Sequence, residues 1–416
     1  MVKRKEFKTD MNAVIMAGGE GIRLRPLTMN CSKPMLPVVN RPLIEHSINY
    51  LKKYGIRDIS VSLFYQPGDI IDRLGDGSSE DVNLKYSVEI NPLGTAGGVK
   101  QALQCAGKRT VVISGDTVTD IPLDELLDFH VSRGADFTAA LVRCPGPEDY
   151  GVAVTDSSMR IVSFQEKPAS GMAAADTINT GIYVIEPEII EEFIPDFKRC
   201  DFSLDLIPAL IEKKKKIYGF LSDRYWCDAG TISSYLGVHR DILDGRADVL
   251  LGGDLTDSPL RYISGGPVLL GEGSEVSRGA NLAGYSVIGS NASVDRGAFV
   301  SESVIHDGSR IGQGAVISGS IIGRGCTIGN GAVIGGGAVI GEGSVIPADS
   351  VLPSGIKLPP STYYNSKSAG RRRIQAVKSL HSYYFSEEGI SRSEMNYKAD
   401  MLNNYFISRL KRFYAQ

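Results

Sequence analysis

Aliphatic residues recur at six-residue intervals between residues 265 and 360, and glycine often follows them, as in VIGGGAVIGEGSVI. The repeat positions are Leu270, Val276, Leu282, Ile288, Val294, Val300, Ile305, Ile311, Ile317, Ile322, Ile328, Ile334, Ile340, Ile346, Leu352 and Leu358. Two five-residue steps divide them into three runs, each of which keeps its phase, as a merely glycine-rich linker would not. A hexapeptide repeat is typical of a parallel β-helix, in which each coil stacks its aliphatic side chains on the next. We therefore predict a β-helix over residues 265–360.

Residues 11–245 follow a different pattern, in which short apolar runs alternate with longer amphipathic stretches. The run DISVSLFY, for example, precedes PGDIIDRLG, and TVVISGD precedes LDELLDFHVSRG. Alternation of strand-like and helix-like periods predicts an α/β domain with a largely parallel sheet. Ligands of such sheets bind at the carboxyl ends of the strands, so functional residues are expected there.

Two segments lie outside these domains. Residues 246–264 are predicted to connect them, and residues 361–416 to form a mostly helical tail. From Arg371 onward the tail holds nine Lys or Arg residues against four Asp or Glu residues. A solvated segment for docking or oligomerisation explains this charge better than nucleic-acid binding, because the chain as a whole is not basic.

The overall composition excludes several classes of protein. The 416-residue chain has a net charge of -3, with 42% hydrophobic and 22% charged residues, so nothing draws it globally to nucleic acid or to an anionic membrane. The six cysteines form no C-x-x-C pair, which predicts neither a disulfide framework nor a zinc site. No apolar run approaches the roughly 18 residues of a spanning helix, and none follows the basic leader MVKRKEFKTD. We expect a cytoplasmic protein that is not embedded in a membrane.

A glycine-rich loop follows the first predicted strand. It contains Gly18, Gly19 and Gly21, but the last position of a G-x-G-x-x-G fingerprint falls on Leu24, and no G-K-[ST] step of a P-loop occurs. What remains is a loop whose backbone can approach an anion closely, with the cations Arg23, Arg25 and Lys33 nearby. A glycine-rich turn with surface cations is the alternative.

Polar residues follow several later strands. Asp116 and Asp228 each end a strand-like run, where either a helix cap or a pair of Mg²⁺ ligands would fit. Between them lie FQEKP, with Glu166 and Lys167, and NTGIYV, with Asn179. Lys167 is either simply exposed or a point charge on a phosphate, and Glu166 and Asn179 could bond sugar hydroxyls.

The order of these motifs resembles that of sugar-phosphate nucleotidyltransferases. The shared motifs are GGEGIRLRPLT, SKPMLPVVNRPLIEH, NPLGTAGGVK, ISGD, DYGV, FQEKP, NTGIYV and WCDAGT. Within that family the chain is most similar to mannose-1-phosphate guanylyltransferases over about residues 11–360. The resemblance implies a Rossmann-like mixed-sheet domain followed by a left-handed β-helix. It also implies a reaction of an NTP with a sugar 1-phosphate, in which the protein positions the reactants and neutralises charge.

The resemblance also implies roles for individual residues. Arg23, Lys33 and Lys167 would be catalytic, with the first two on the nucleotide phosphates and Lys167 on the sugar phosphate. Asp116 and Asp228 would hold Mg²⁺. The remaining implied contacts are Gly18, Gly19, Gly21, Gly94 and Thr95 with the nucleotide, and Gly151, Glu166 and Asn179 with the sugar.

Departures from the family pattern leave several points open. The family commonly has G-T-R and P-K-P where this chain has Ile22 and Ser32. No phosphomannomutase half is present, so a separate enzyme is expected to supply the sugar 1-phosphate. The alternatives are a thymidylyl-, uridylyl- or adenylyltransferase acting on glucose 1-phosphate, and a noncatalytic regulatory subunit.

The second domain raises one further possibility, since some relatives with a β-helix are acetyltransferases that use a histidine base. The only histidine of this β-helix is His306. We expect it to be a surface residue, and we expect the β-helix to serve assembly, with the chain forming a homo-oligomer.

Overall fold

The predicted alternation of strands and helices forms a nine-stranded mixed sheet, together with a two-stranded hairpin and a short two-stranded ladder. A computed structural model describes residues 11–103, 107–252, 254–256 and 266–365. The strands are β1 (Met11–Met16), β2 (Pro37–Val38), β3 (Arg41–Pro42), β4 (Asp58–Leu63), β5 (Asn83–Val88), β6 (Arg109–Ser114), β7 (Thr117–Thr119), β8 (Phe137–Arg143), β9 (Gly151–Thr155), β10 (Ile161–Glu166), β11 (Thr177–Ile185), β12 (Ile217–Ser222) and β13 (Trp226–Asp228). The helices are α1 (Leu43–Lys53), α2 (Pro67–Leu74), α3 (Gly94–Ala102), α4 (Leu123–Arg133), α5 (Pro187–Phe193), α6 (Ile207–Glu212) and α7 (Ile232–Leu243).

The central sheet has the order β10-β9-β11-β6-β1-β4-β5, with β8 between β11 and β12. Strands β6, β1, β4 and β5 are parallel, whereas β11 runs antiparallel to β6, so the sheet is mixed. Met16 at the end of β1 lies opposite Ser62 on β4 and Ser114 on β6. The loops that follow these three strands therefore meet at one edge of the sheet.

Helices cover both faces of this sheet because its strands are apolar on both sides. Ala13 and Ile15 of β1 belong to a buried cluster with residues of α1, α2 and α4. Val14, between them, belongs to a second cluster with residues of α3, α5 and α6. The side-chain period of two thus divides one strand between two cores.

The hexapeptide repeat forms the predicted left-handed parallel β-helix. Its strands are β15 (Val268–Leu270), β16 (Glu275–Val276), β17 (Asn281–Leu282), β18 (Val287–Ile288), β19 (Ser293–Val294), β20 (Phe299–Ser301), β21 (Val304–Ile305), β22 (Arg310–Ile311), β23 (Val316–Ser318), β24 (Ile321–Ile322), β25 (Thr327–Ile328), β26 (Val333–Ile334), β27 (Val339–Ile340), β28 (Val345–Ile346), β29 (Val351–Leu352) and β30 (Lys357–Leu358). They pair in parallel as three sheets, so each aliphatic repeat residue lies above its equivalent in the previous coil. One such column is Leu270, Ile288, Ile305, Ile322, Ile340 and Leu358.

One outer face of the β-helix packs against the first domain. Residues that precede the repeat position on this face, such as Val287 and Val304, are buried in a cluster with Leu36 and Val39 and with Val238 of α7. Burial of hydrophobic side chains is the dominant favourable term when two such surfaces associate. The two domains therefore share a core.

The segment predicted as a connection contributes to this interface. Backbone residues of β14 (Asp254–Thr256) pair antiparallel with β15, so the segment adds a strand to the β-helix. Just before it, the Gly252 N–H donates to the Val39 carbonyl at 2.9 Å. Residues 361–365 extend the last coil through a bridge between Val345 and Tyr363. The predicted helical tail beyond residue 365 lies outside the described residues.

The expectation that His306 is a surface residue is wrong. His306 is 6% exposed because α7 covers it, and its Nε2 lies 3.0 Å from the Tyr235 hydroxyl. The sequence around His306 does not reveal its burial, because Tyr235 of the covering helix lies 71 residues away along the chain.

None of the helices in the described ranges has the length and apolar character needed to cross a bilayer.

Candidate active site

The glycine loop runs along the carboxyl end of β1, at the predicted sheet edge. Gly21 adopts a φ of +62°, and a Cβ there would lie 2.9 Å from the Cβ of Lys33. The Thr28 hydroxyl donates to the Gly21 carbonyl at 2.8 Å and closes the loop. Glycine is therefore required at position 21 so that the loop can lie directly against Lys33.

Lys33 bridges the two aspartates that were predicted as metal ligands. Its Nζ lies 2.5 Å from Oδ2 of Asp116 and 2.7 Å from Oδ1 of Asp228. The Lys33 side chain is only 8% exposed. Arg23 completes the group, with its Nη2 3.5 Å from Oδ2 of Asp228 and a side chain that is 52% exposed. Four residues predicted separately thus form one cluster, in which Arg23 faces solvent.

Strand pairing brings the two aspartates together. Asp228, the last residue of β13, lies opposite Thr117 of β7, and Asp116 directly precedes Thr117. The Ser114 hydroxyl donates to Oδ1 of Asp116 at 2.5 Å and orients that carboxylate. Sequence reasoning missed Ser114, although a hydroxyl two residues before the aspartate in VISGD was a usable signal.

The charges of this cluster shift one another's pKa values. Burial alone would lower the pKa of Lys33, but attraction to Asp116 and Asp228 outweighs it and raises that pKa. Burial would raise the pKa of Asp116, yet Lys33 and the Ser114 hydrogen bond lower it. The pKa of Asp228 is raised, because burial and the charge of Asp116 outweigh the attraction of Lys33 and Arg23. The ammonium group is therefore charged and serves as a buried counterion.

The predicted sugar-binding residues form a second group at the ends of β9 and β10. Gly151 lies opposite Glu166, and a Cβ on Gly151 would lie 3.0 Å from the Glu166 carboxylate. Lys167 follows with its Nζ 3.7 Å from Glu166 and 60% of its side chain exposed. The largely exposed Lys167 ammonium beside the Glu166 carboxylate is suited to contact with a polar ligand.

Asn179 lies on β11, where an irregularity interrupts the pairing with β8. Its amide nitrogen donates to the Tyr183 hydroxyl at 2.6 Å, and its oxygen accepts from the Gly181 N–H at 3.2 Å. Gly181 approaches the first cluster, since a Cβ there would lie 3.6 Å from the Cβ of Ser114. Asn179 thus lies in the strand that joins the two groups.

Gly94 and Thr95 begin α3 and pack against the segment around residue 200. A Cβ on Gly94 would lie 2.6 Å from the Cys200 carbonyl. The Thr95 hydroxyl donates to Asp201 at 2.8 Å and accepts from the Phe202 N–H at 2.9 Å. That hydroxyl is therefore engaged within the protein, which leaves the backbone of this turn as the part available to a nucleotide.

A buried carboxylate that sequence reasoning missed connects this turn to the glycine loop. Glu89 accepts hydrogen bonds from the Ser62 hydroxyl at 2.9 Å and from the Leu93 N–H at 2.7 Å. Ser62 in turn accepts from the Ala17 N–H through its carbonyl at 2.9 Å. The turn and the loop are thereby held at the same sheet edge.

The two departures from the family pattern have structural explanations. Ile22 is exposed, so its side chain replaces a hydroxyl at the loop surface only. The Ser32 N–H donates to Oδ2 of Asp69 at 3.2 Å, a bond that proline could not make.

The donor chemistry of the cluster suits a hard divalent cation. Asp116 and Asp228 present carboxylate oxygens, and Mg²⁺ is commonly bound by one or two carboxylates together with substrate phosphates. In the part of the chain that the structure describes, no group of three or more His, Cys, Asp or Glu residues could hold a metal by itself. A cation held by Asp116 and Asp228 would take its other oxygen ligands from water or from substrate phosphates.

Comparison with known proteins identifies the family of this chain. The family described as "Nucleotidyl transferase" matches residues 12–245, and that described as "GMPPB C-terminal domain" matches residues 264–369. A mannose-1-phosphate guanylyltransferase of Mycobacterium tuberculosis is 37% identical over 72% of this chain and 81% of its own length. A UTP-glucose-1-phosphate uridylyltransferase of Synechocystis sp. is 32% identical over 73% of this chain and 84% of its own. A mannose-1-phosphate guanyltransferase of Pichia angusta is 33% identical over 65% and 74%, respectively. The chain belongs to the nucleotidyl transferase family of sugar-phosphate enzymes.

Proposed function

We propose that this protein transfers a guanylyl group from GTP to mannose 1-phosphate and releases pyrophosphate. The observation that carries the proposal is the buried Lys33 between Asp116 and Asp228, beside a glycine loop at the carboxyl ends of parallel strands. The names of the relatives from M. tuberculosis and P. angusta favour GTP and mannose 1-phosphate within the family. The products are GDP-mannose and pyrophosphate.

In the proposed reaction a phosphate oxygen of mannose 1-phosphate attacks the α-phosphorus of GTP. The bond between the α-phosphorus and the oxygen bridging to the β-phosphate breaks, and pyrophosphate leaves with that oxygen. No covalent enzyme intermediate is needed, so positioning and charge neutralisation are the protein's contribution. Lys33 and Arg23 neutralise the triphosphate.

Asp116 and Asp228 would hold Mg²⁺. When bound, the ion supplies charge neutralisation on the phosphate oxygens. The backbone at Gly18, Gly19, Gly21, Gly94 and Thr95 lies against the nucleotide. Lys167, whose ammonium is largely exposed, binds the phosphate of the sugar substrate, and Gly151, Glu166 and Asn179 face the sugar.

The test is pyrophosphate release in the presence of Mg²⁺, with GTP, dTTP, UTP or ATP combined with the 1-phosphates of mannose, glucose or N-acetylglucosamine. We expect the maximum with GTP and mannose 1-phosphate. A maximum with UTP and glucose 1-phosphate would instead favour the activity named for the Synechocystis relative. No release from any pair, with the protein folded, would favour a regulatory subunit.

The proposal includes three further points that stay predictions. The mannose 1-phosphate comes from a separate phosphomannomutase, the chain assembles as a homo-oligomer, and it acts in the cytoplasm. Gel filtration with light scattering tests the second.

A further inference from the structure

Lys33 belongs to a short structural unit that we name the Lys33 hairpin, residues 33–42. A single 3₁₀ turn, Lys33–Met35, leads into β2, and a two-residue turn joins β2 to β3. The Leu36 N–H donates to the Lys33 carbonyl at 3.1 Å. The backbone that carries the Lys33 side chain is thus bonded directly to the start of the hairpin strands.

The turn of this hairpin holds a β-branched residue in a backbone region that such residues rarely adopt. Val39 and Asn40 have φ values of 45° and 62°, which lie in the left-handed region. Asparagine adopts this region readily, but for a β-branched residue such as Val39 it is a genuine outlier. Such strain persists only where surrounding contacts determine the conformation, and it clusters at functional sites.

Three hydrogen bonds hold the turn, and each comes from a different part of the chain. The Val39 N–H donates to Nδ1 of His239 on α7 at 3.1 Å. The Val39 carbonyl accepts from the Gly252 N–H at 2.9 Å. The Asn40 side chain donates to the Ile288 carbonyl of the β-helix at 2.9 Å. The β-helix therefore holds one side of the strained turn.

A second contact from the β-helix reaches the hairpin through Tyr235 of α7. The Tyr235 hydroxyl donates to the Pro37 carbonyl. Nε2 of His306 lies 3.0 Å from the hydroxyl oxygen of Tyr235. A hydroxyl can donate only one hydrogen bond. Because the Tyr235 hydroxyl donates to the Pro37 carbonyl, it accepts its second hydrogen bond from the Nε2–H of His306. The Tyr235 and His306 side chains are shielded from water, which makes an unpaired partner costly.

Tyr235 also lies close in sequence to the other side of the cluster. Helix α7 begins at Ile232, four residues after Asp228, and its start is capped by Thr231 and Ser234. A single hydroxyl therefore connects the helix that follows Asp228 to the strand that follows Lys33.

We propose that His306 of the β-helix is a positioning residue for Lys33, acting through Tyr235 and the Pro37 carbonyl. The β-helix then takes part in forming the active site, in addition to any role in assembly. The predicted effect of His306 on turnover rests on the proposed function, whereas its predicted effect on the conformation of the Lys33 hairpin does not.

The test compares three changes at this contact with one control, using the full chain. Tyr235→Phe and His306→Phe remove the hydrogen bonds and keep a ring, whereas His306→Gln retains a side-chain N–H donor. Tyr50→Phe is the matched control, because the buried Tyr50 hydroxyl donates to the Ile121 carbonyl at 2.9 Å away from the hairpin. The first readout is hydrogen exchange of residues 33–42, and the second is kcat and KM for the best substrate pair.

We expect faster exchange of residues 33–42 in Tyr235→Phe and His306→Phe. A misplaced Lys33 should lower kcat about ten- to a hundredfold with a smaller change in KM, since its charge acts on the transition state. His306→Gln should recover much of both losses, and Tyr50→Phe should change neither.

Unchanged exchange of the hairpin in folded Tyr235→Phe and His306→Phe would overturn the proposal. Equal losses in Tyr50→Phe would also overturn it, because they would show a general loss of stability. Failure of His306→Gln to recover activity would contradict the donor role of Nε2. If the wild type turned over no substrate pair, the exchange result would still decide whether His306 holds the hairpin.

Discussion

Ile328 in the β-helix pairs with Ile311 one coil before it and with Ile346 one coil after it. Lys33 in the first domain contacts Asp228, which is 195 residues away in sequence. The β-helix is stabilised by contacts between neighbouring coils, each much like the last, whereas the candidate site depends on a few contacts between distant segments. A change at an inward repeat position of the β-helix should therefore alter mainly stability, and a change in the site should alter mainly activity.

The largest effect should come from Lys33→Met. Loss of the buried cation should lower kcat for pyrophosphate release by a factor on the order of 10² or more, as removal of one preorganised charge commonly does. Lys85→Met, at an exposed position of β5, is the control and should leave the rate unchanged. Circular dichroism checks that both variants fold. Full activity of Lys33→Met would contradict the assignment of Lys33.

The next largest effect should come from truncating a buried isoleucine in the core of the β-helix. Ile346→Ala should reduce the free energy of unfolding by about 2–5 kcal/mol, because Ile346 is fully buried between coils. The neighbouring Val345 is 36% exposed, and Val345→Ala should stay within about 0.5 kcal/mol of the wild type. Urea denaturation measures both. Equal losses of unfolding free energy in the two variants would show that the inward and outward positions of the strand contribute equally to stability.

Acidification should weaken the interface where the two domains meet. The pKa of His306 is lowered to about 3 by burial and by Arg324, and the pKa of His239 is lowered to about 3 by burial, His306 and His46. Both are neutral when folded and take up a proton on unfolding below pH 6.5, so their contribution is complete above 6.5 and is lost as pH falls toward 3. At pH 5 the loss should be about 2 kcal/mol for each histidine.

Urea denaturation of the wild type and His306→Gln at pH 7 and pH 5 checks this expectation. The variant should lose less stability on acidification, because one of the buried histidines that take up a proton on unfolding is gone. An equal loss in both proteins would place the pH dependence elsewhere in the molecule.

The smallest effect concerns a corner of the β-helix. Gly325 has a φ of +63° with open space around its Cα, so Gly325→Ala should cost only the conformational penalty of about 1 kcal/mol. Asp349 occupies an equivalent corner with a φ of 57°, and Asp349→Gly should change stability by less or in the opposite direction. Thermal denaturation distinguishes these outcomes. A larger loss in Asp349→Gly would show that its side chain stabilises the corner.

Much of the site was predictable one residue at a time. Strand ends and glycines located Gly21, Asp116 and Asp228, because each lies at the end of an apolar run with a recognisable period. Their mutual contacts were not predictable. That Asp116 and Asp228 lie side by side follows from the pairing of β7 with β13, which brings together segments about a hundred residues apart.

The sequence by itself determined the β-helix, down to the repeat residues that point inward, because a repeat places each residue against its own equivalent in the next coil. It also determined the alternation of strands and helices as far as α4, because the periodicities of that part are local, but not the run of strands β8 to β11 that follows. Only the tertiary structure decided that Lys33 is a buried counterion, that Thr95 is engaged within the protein and that His306 is covered by α7. Each of these depends on which distant surface packs against the residue, and local patterns of hydrophobicity and charge do not record that choice.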